Sequence, residues 1–236
     1  VVSKKLKNVK TNKLIKCINT NNFLKTLAIN KRIKSKAKII AITGSSGKTT
    51  NKSLLGNLLG LFDKTYFSPK SYNNHFGVPI SLSNLERNHK YAVFEVGMNK
   101  PGEIHNLSKM VSPDIAIITN VAEAHIENFK NLKGIARAKG EIINNIKKKG
   151  VLVINRDDKF FNYFKSIADN RKIKVISFGL SKKSDVYPIH NKYFQNKKTI
   201  KLKVLNKKIS LKVNDINIYN VLSSLAVLKI LNFDIN

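Results

Sequence analysis

Residues 39–50 read IIAITGSSGKTT, an apolar run followed by a glycine-serine loop and then Lys48, Thr49 and Thr50. Backbone N–H groups of Gly44, Ser45, Ser46, Gly47 and Lys48 turned into one concavity would bind an anion. The dipole of a helix starting there would add to that attraction. Lys48 would reach the β and γ phosphates of a nucleotide, and the Thr49 hydroxyl is an oxygen ligand of the kind magnesium accepts. The glycine spacing is unusual. The common phosphate loop has a glycine five residues before its Gly-Lys pair, where Ile42 stands, whereas here Gly44 precedes Gly47 by three. A bare Gly/Ser turn capping a helix, with a solvated lysine, is the bland alternative. The apolar strand before the loop and the Leu-spaced helix after it, KTTNKSLLGNLLGLF, favour the phosphate reading.

Two further residues point to a metal. Glu95 lies near the C-terminal end of the apolar run YAVFEVG (91–97), and open parallel sheets place ligands off those ends. A carboxylate there costs desolvation energy unless a cation or a donor satisfies it. His125 follows the apolar run DIAIITNV (114–121) by a few residues. Alone, such a histidine is more often structural. On the same side of one sheet as Thr49 and Glu95, it reads as a metal ligand.

The elements that must position these groups alternate. Apolar runs rich in Val and Ile at 38–43, 91–97, 114–121, 150–155 and 174–179 are nearly continuous, as strands buried on both faces should be. Helix-like segments at 102–111, about 131–148 and 158–168 separate most of them. The alternation predicts an α/β fold with a mostly parallel sheet flanked by helices. Between Tyr187 and Val213 shorter alternating pieces predict a short antiparallel portion near the C-terminus, and a last helix is expected over roughly Asn217 to Leu231. Residues 1–36 are polar and Lys/Asn-rich, with one helix-like stretch, NNFLKTLAINKRI, and read as a linker or the end of a preceding domain.

With 236 residues and 42% hydrophobic content, the chain can bury a sizeable core. No apolar run approaches a membrane span, and the first residues do not read as a signal peptide. One cysteine, Cys17, excludes an intramolecular disulfide and a zinc cluster, so a cytoplasmic, reducing location is expected. The formal net charge is +30, yet the excess is carried by 39 Lys against 5 Arg, alongside abundant Asn and Ile. That is the signature of AT-rich coding. Arginine, the preferred residue for bidentate phosphate and base-edge contacts, is scarce, and no aromatics interleave with the lysines. No nucleic-acid partner is therefore expected, although a non-catalytic basic binding module is the alternative of a different class.

TGSSGKTT, EVGMNKPGEI, ITNVAEAHIENF and ARAKGEI occur in this order. Together they resemble the central ATPase domain of the Mur ligase family, which builds the peptide of bacterial cell-wall precursors. Its loop has the short Gly-x-x-Gly-Lys-Thr spacing. SYNNHFGVPISL (71–82) and EVGMNKPGEI (95–104) resemble the branch that adds D-alanyl-D-alanine. The third-residue-adding and folylpolyglutamate synthase branches are the alternatives within the family. The resemblance implies a P-loop NTPase-like fold and an ATP- and Mg2+-dependent amide ligase. It would act on UDP-N-acetylmuramoyl-tripeptide and D-alanyl-D-alanine through an acyl phosphate, with a monomer expected.

The resemblance also implies residue roles. Gly44 through Thr50 would hold the triphosphate, with Lys48 on the transferred phosphate, and Thr49 (or Thr50) with Glu95 would hold one magnesium. His125 and Lys139 match positions that support a second magnesium, Lys139 as a carbamylated lysine. Asn73 and Asn74 would face the peptide substrate. Asn155 and Asp158 (in INRDD) with Asn217 and Asn220 (in INIYN) would lie near adenine and ribose, although Ile216 stands where the family has a histidine. By this resemblance, residues 37–236 are the central ATP-binding domain and 1–36 a remnant or linker of an N-terminal UDP-sugar-binding domain. The C-terminal ligase domain is expected to be absent, so this stretch alone should ligate poorly or not at all.

Overall fold

The structure, a computed structural model, describes residues 2, 4, 14–124, 128–189, 199–212 and 217–235. The described strands form one sheet in the order β2-β3-β1-β4-β5-β6-β7-β8-β9. In chain order they are β1 (Lys38–Thr43), β2 (Thr65–Phe67), β3 (Tyr91–Glu95), β4 (Ile115–Ile118), β5 (Val151–Asn155), β6 (Lys174–Phe178), β7 (Val186–Pro188), β8 (Thr199–Val204) and β9 (Lys207–Lys212). From β2 to β7 every pairing is parallel; β7–β8 and β8–β9 are antiparallel. The expected mixture is present, and the antiparallel portion begins only beyond β7.

Helices α1 (Thr20–Lys34), α2 (Lys48–Gly60), α3 (Gly77–Ser83), α4 (Glu103–Val111), α5 (Leu132–Gly140), α6 (Phe161–Asn170) and α7 (Ile218–Ile230) cover both faces. Strand residues point alternately to opposite faces. Accordingly Ile40 and Ile42 of β1 enter a core with Leu55 and Leu59 of α2 and Leu222 and Leu225 of α7. Ile39 and Ala41 enter the other core, with Val78, Ile104, Ile135 and Phe164. Both faces are covered, which is why these strands read as unbroken apolar runs. In β8 only one face is buried, and Ile200, Leu202 and Val204 alternate with Thr199, Lys201 and Lys203.

Three features depart from the sequence expectation. The stretch about 131–148 is not one helix: α5 tightens into a 3-10 turn over Glu141–Asn145 and the chain becomes extended at Ile146. The three-residue edge strand β2 and the seven-residue helix α3 were not anticipated. The helix expected in the N-terminal stretch does form, as α1, and it packs on α3 and α4. Its Ala28 is fully buried, and Arg32 donates from Nε to Val111 O (2.7 Å) and from Nη2 to Ser112 O (2.8 Å) at the end of α4.

Candidate nucleotide and metal site

Strand β1 is the third strand from the β2 edge, between β3 and β4, so its C-terminal end opens where the chain departs to both sides. That is the place where open α/β sheets bind ligands. The loop leaving it has two left-handed glycines, Gly44 (φ +151°) and Gly47 (φ +78°), the second capping α2. Space also demands glycine at the first: a Cβ on Gly44 would lie 1.8 Å from Thr119 Oγ1.

The residues just after β4 hold the loop. Thr119 Oγ1 donates to Ser46 O (2.7 Å), and Asn120 Oδ1 accepts from Ser45 N (3.1 Å) and Ser46 N (2.9 Å). Asn120 Nδ2 donates to Ser46 Oγ (2.7 Å), and Ser45 Oγ exchanges hydrogen bonds with the backbone of Ala122. The loop is therefore held in shape by the residues that follow β4. Lys48 folds back over it, Nζ donating to Gly44 O (2.7 Å) and Ser45 O (3.3 Å). Burial pushes the Lys48 ammonium below the usual lysine range, and the charge of Glu95 opposes that shift.

Glu95, at the end of β3, is 1% exposed. Its Oε2 accepts from Thr49 Oγ1 (2.9 Å) and its Oε1 from Asn73 Nδ2 (2.8 Å). Thr49 Oγ1 also lies 2.8 Å from Ser71 Oγ. Thr49 is thus the threonine that meets Glu95; Thr50 is exposed on the first turn of α2. A carboxylate oxygen and a hydroxyl side by side are hard donors of the type magnesium takes. Among the described residues no group of three His, Cys, Asp or Glu forms a metal cage.

A cavity of about 700 Å³ opens beside the loop, lined by Gly44, Ser45, Lys48, Asn73, Asn74 and Lys139. Six residues separated by up to 95 positions in sequence therefore meet at one place. Asn74 also caps α3, Oδ1 accepting from Phe76 N and Gly77 N. Lys139, 3% exposed at the end of α5, has its pKa lowered to about 7, by burial first and by the Lys48 charge second. Near neutral pH a large share of its amine is uncharged and nucleophilic. His125 lies outside the described residues; its neighbour Ala124 lines the cavity.

The remaining sequence-predicted residues do not line this cavity. Asn220 is buried against the loop from the α7 side, its Oδ1 3.1 Å from where a Gly47 Cβ would stand. Asn217 caps α7, accepting from Tyr219 N (3.0 Å). Asn155 Oδ1 accepts from Asp157 N, and Asp158 accepts from Val121 N (2.7 Å) and Phe160 N (2.8 Å), bracing the segment after β4. Ile216 is outside the described residues. Sequence reasoning missed Thr119 and Asn120 as the groups that shape the loop. Their signal was two polar residues directly after a buried strand.

The chain matches the Mur ligase middle domain over residues 42–228. It is 38% identical, over 156 residues, to the UDP-N-acetylmuramoyl-tripeptide--D-alanyl-D-alanine ligase of Buchnera aphidicola subsp. Baizongia pistaciae. That match covers 66% of this chain and 34% of the relative, so the chain spans about a third of the curated relatives' length. Its fold superposes on MurF from Acinetobacter baumannii with a TM-score of 0.85, at 31% identity, covering 94% of this chain and 49% of the other. MurF ligase from Thermotoga maritima, solved in complex with ADP, gives a TM-score of 0.81 at 26% identity, covering 98% and 54%.

Proposed function

The chain belongs to the Mur ligase family, and from that premise we propose that it supplies the ATP site of a ligase joining D-alanyl-D-alanine to UDP-N-acetylmuramoyl-tripeptide. Residues 37–236 are then the central ATP-binding domain, 1–36 is a remnant or linker of an N-terminal UDP-sugar-binding domain whose helix α1 docks on α3 and α4, and the protein works as a cytoplasmic monomer. Among the described residues no helix is long and apolar enough to cross a membrane. One observation carries the reading. Lys48 on the loop, Thr49 and Asn73 on the two oxygens of Glu95, and Lys139 across the cavity form a single constellation.

A peptide carboxylate is a poor acylating agent. Transfer of the γ-phosphoryl group of ATP to it makes an acyl phosphate. The amine of D-alanyl-D-alanine attacks the acyl carbon, the C–O bond to phosphate breaks, and an amide and inorganic phosphate result. The protein chiefly positions the partners and offsets gathering negative charge. Lys48 exchanges the Gly44 and Ser45 carbonyls for phosphate oxygens as it binds nucleotide. Thr49 and Glu95 would hold magnesium, which supplies charge neutralisation at the phosphates. Asn73 and Asn74 present amides that both donate and accept to the peptide substrate. Adenine and ribose are assigned to the side of Asn155, Asp158, Asn217 and Asn220.

Lys139 is the residue whose environment fits a second role. Its uncharged amine can add to carbon dioxide, forming an N–C bond and releasing one proton, which turns a neutral buried amine into an anion. Together with His125 that anion would support a second magnesium, whereas an ammonium would repel it.

The test is an assay of the gene product containing this sequence. Phosphate release should require ATP, magnesium, UDP-N-acetylmuramoyl-tripeptide and D-alanyl-D-alanine together. Release driven instead by glutamate or by a single third amino acid would assign it to another branch of the family and overturn the proposal.

A further inference from the structure

Lys52 is among the largest fully buried side chains of the described residues, and nothing said so far uses it. It lies one helical turn after Lys48 on α2. Its Nζ donates to Lys70 O (2.8 Å) and Ser68 Oγ (3.2 Å), in the segment that leaves the edge strand β2. Lys70 O accepts two more hydrogen bonds, from Ser68 Oγ (3.0 Å) and Tyr72 N (2.8 Å). The ammonium is therefore the anchor of a turn in which three donors converge on one carbonyl. An ammonium withdrawn from water this completely is costly unless its partners are fixed.

What the turn carries gives the anchor its meaning. Ser71 Oγ lies 2.8 Å from Thr49 Oγ1, and Asn73 Nδ2 donates to Glu95 Oε1 (2.8 Å). Asn73 O accepts from Gly97 N (2.8 Å), which ties the same turn to the end of β3. Segment 68–73 thus sets both side chains that orient the Thr49–Glu95 pair, and Lys52 fixes that segment to the loop helix.

We propose that Lys52 is a positioning residue that holds segment 68–73 on α2, so that Ser71 and Asn73 keep Thr49 and Glu95 aligned to receive a divalent cation with the nucleotide. The proposal rests on the nucleotide reading given above. A buried lysine serving stability alone would leave cation affinity untouched. Lys52 as a positioning residue makes the magnesium-dependent part of nucleotide binding its own.

The experiment is calorimetric titration of ATP into the chain, once with magnesium and once with a chelator, for wild type, Lys52→Met and Ser68→Ala. Thermal melts of each variant run alongside. Removing a partner that orients metal ligands typically lowers metal affinity about 10–100-fold. Lys52→Met should therefore lose at least about tenfold in the ratio of magnesium-bound to metal-free ATP affinity, with metal-free binding within about twofold of wild type. Ser68→Ala keeps the bond to Lys70 O and should lose less. A folded Lys52→Met with an unchanged ratio overturns the proposal. If that variant does not fold, an unchanged ratio in Ser68→Ala overturns it, and a reduced one supports it. A wild-type chain with no magnesium-dependent binding removes the nucleotide reading and this proposal together, an outcome distinct from a silent variant.

Discussion

Gly44→Ala is the perturbation whose consequence follows most directly from geometry. The added methyl would sit 1.8 Å from Thr119 Oγ1, 3.0 Å from Thr119 Cβ and 3.2 Å from Asn120 N. No rotation of Ala relieves this, so Thr119 must move. Moving it breaks the 2.7 Å bond to Ser46 O, a net loss of about 1 kcal/mol. The backbone adds its own cost, because φ is +151° and holding an L-residue in a glycine region costs about 1–3 kcal/mol. The sum is about 2–4 kcal/mol, to be read by urea denaturation, with nucleotide affinity measured in parallel. The double variant Gly44→Ala/Thr119→Ala removes the 1.8 Å overlap but keeps the tight 3.0 Å contact with the Cβ of residue 119 and the strained φ. It should therefore be less destabilised than the sum of the two single variants. Wild-type stability and nucleotide affinity in Gly44→Ala would refute the account of how β4's exit shapes the loop.

Two other predictions concern buried cations. Lys139 titrates at about 7 in the folded chain against 10.5 in the unfolded one, so between those values the unfolded chain holds the extra proton and stability rises with pH. The penalty is complete below about 7 and fades toward 10.5. In bicarbonate-free buffer, Lys139→Met should be more stable than wild type at pH 7, and its advantage should shrink by about 2 kcal/mol at pH 9. A gap independent of pH would contradict the shift. Arg32→Met removes two donors from the Val111 and Ser112 carbonyls at the end of α4, at a cost of about 2–4 kcal/mol. Trypsin should then cut α1 sooner than the sheet, and unchanged cleavage kinetics would contradict the docking of α1.

The sequence revealed those elements whose physics is local. Strands β1, β3, β4, β5 and β6 were legible because burial on both faces leaves an unbroken apolar run. β2 was not, because its three residues are only half-buried at the sheet edge. α3 hid behind its Gly-Val-Pro opening, which reads as a turn until tertiary packing and the Asn74 cap commit it to a helix. The end of α5 was misjudged because Ile142 and Ile143 continue an apolar period while the backbone tightens to 3-10 geometry. At the site, Lys48, Thr49, Glu95, Asn73, Asn74 and Lys139 were named from motifs and do converge. Lys52 and Asn120 were not named. Lysine is abundant in this chain, and Asn120 acquires its role only when β4 lies beside β1.

The claim on which everything else depends is that the Gly44–Thr50 loop binds nucleotide with magnesium. Titration of Mg-ATP into this chain, with Lys48→Ala alongside, tests it most directly. The account predicts binding that weakens when magnesium is chelated and is lost in the variant. A folded chain that binds no Mg-ATP, or a Lys48→Ala variant that binds as wild type does, would contradict it.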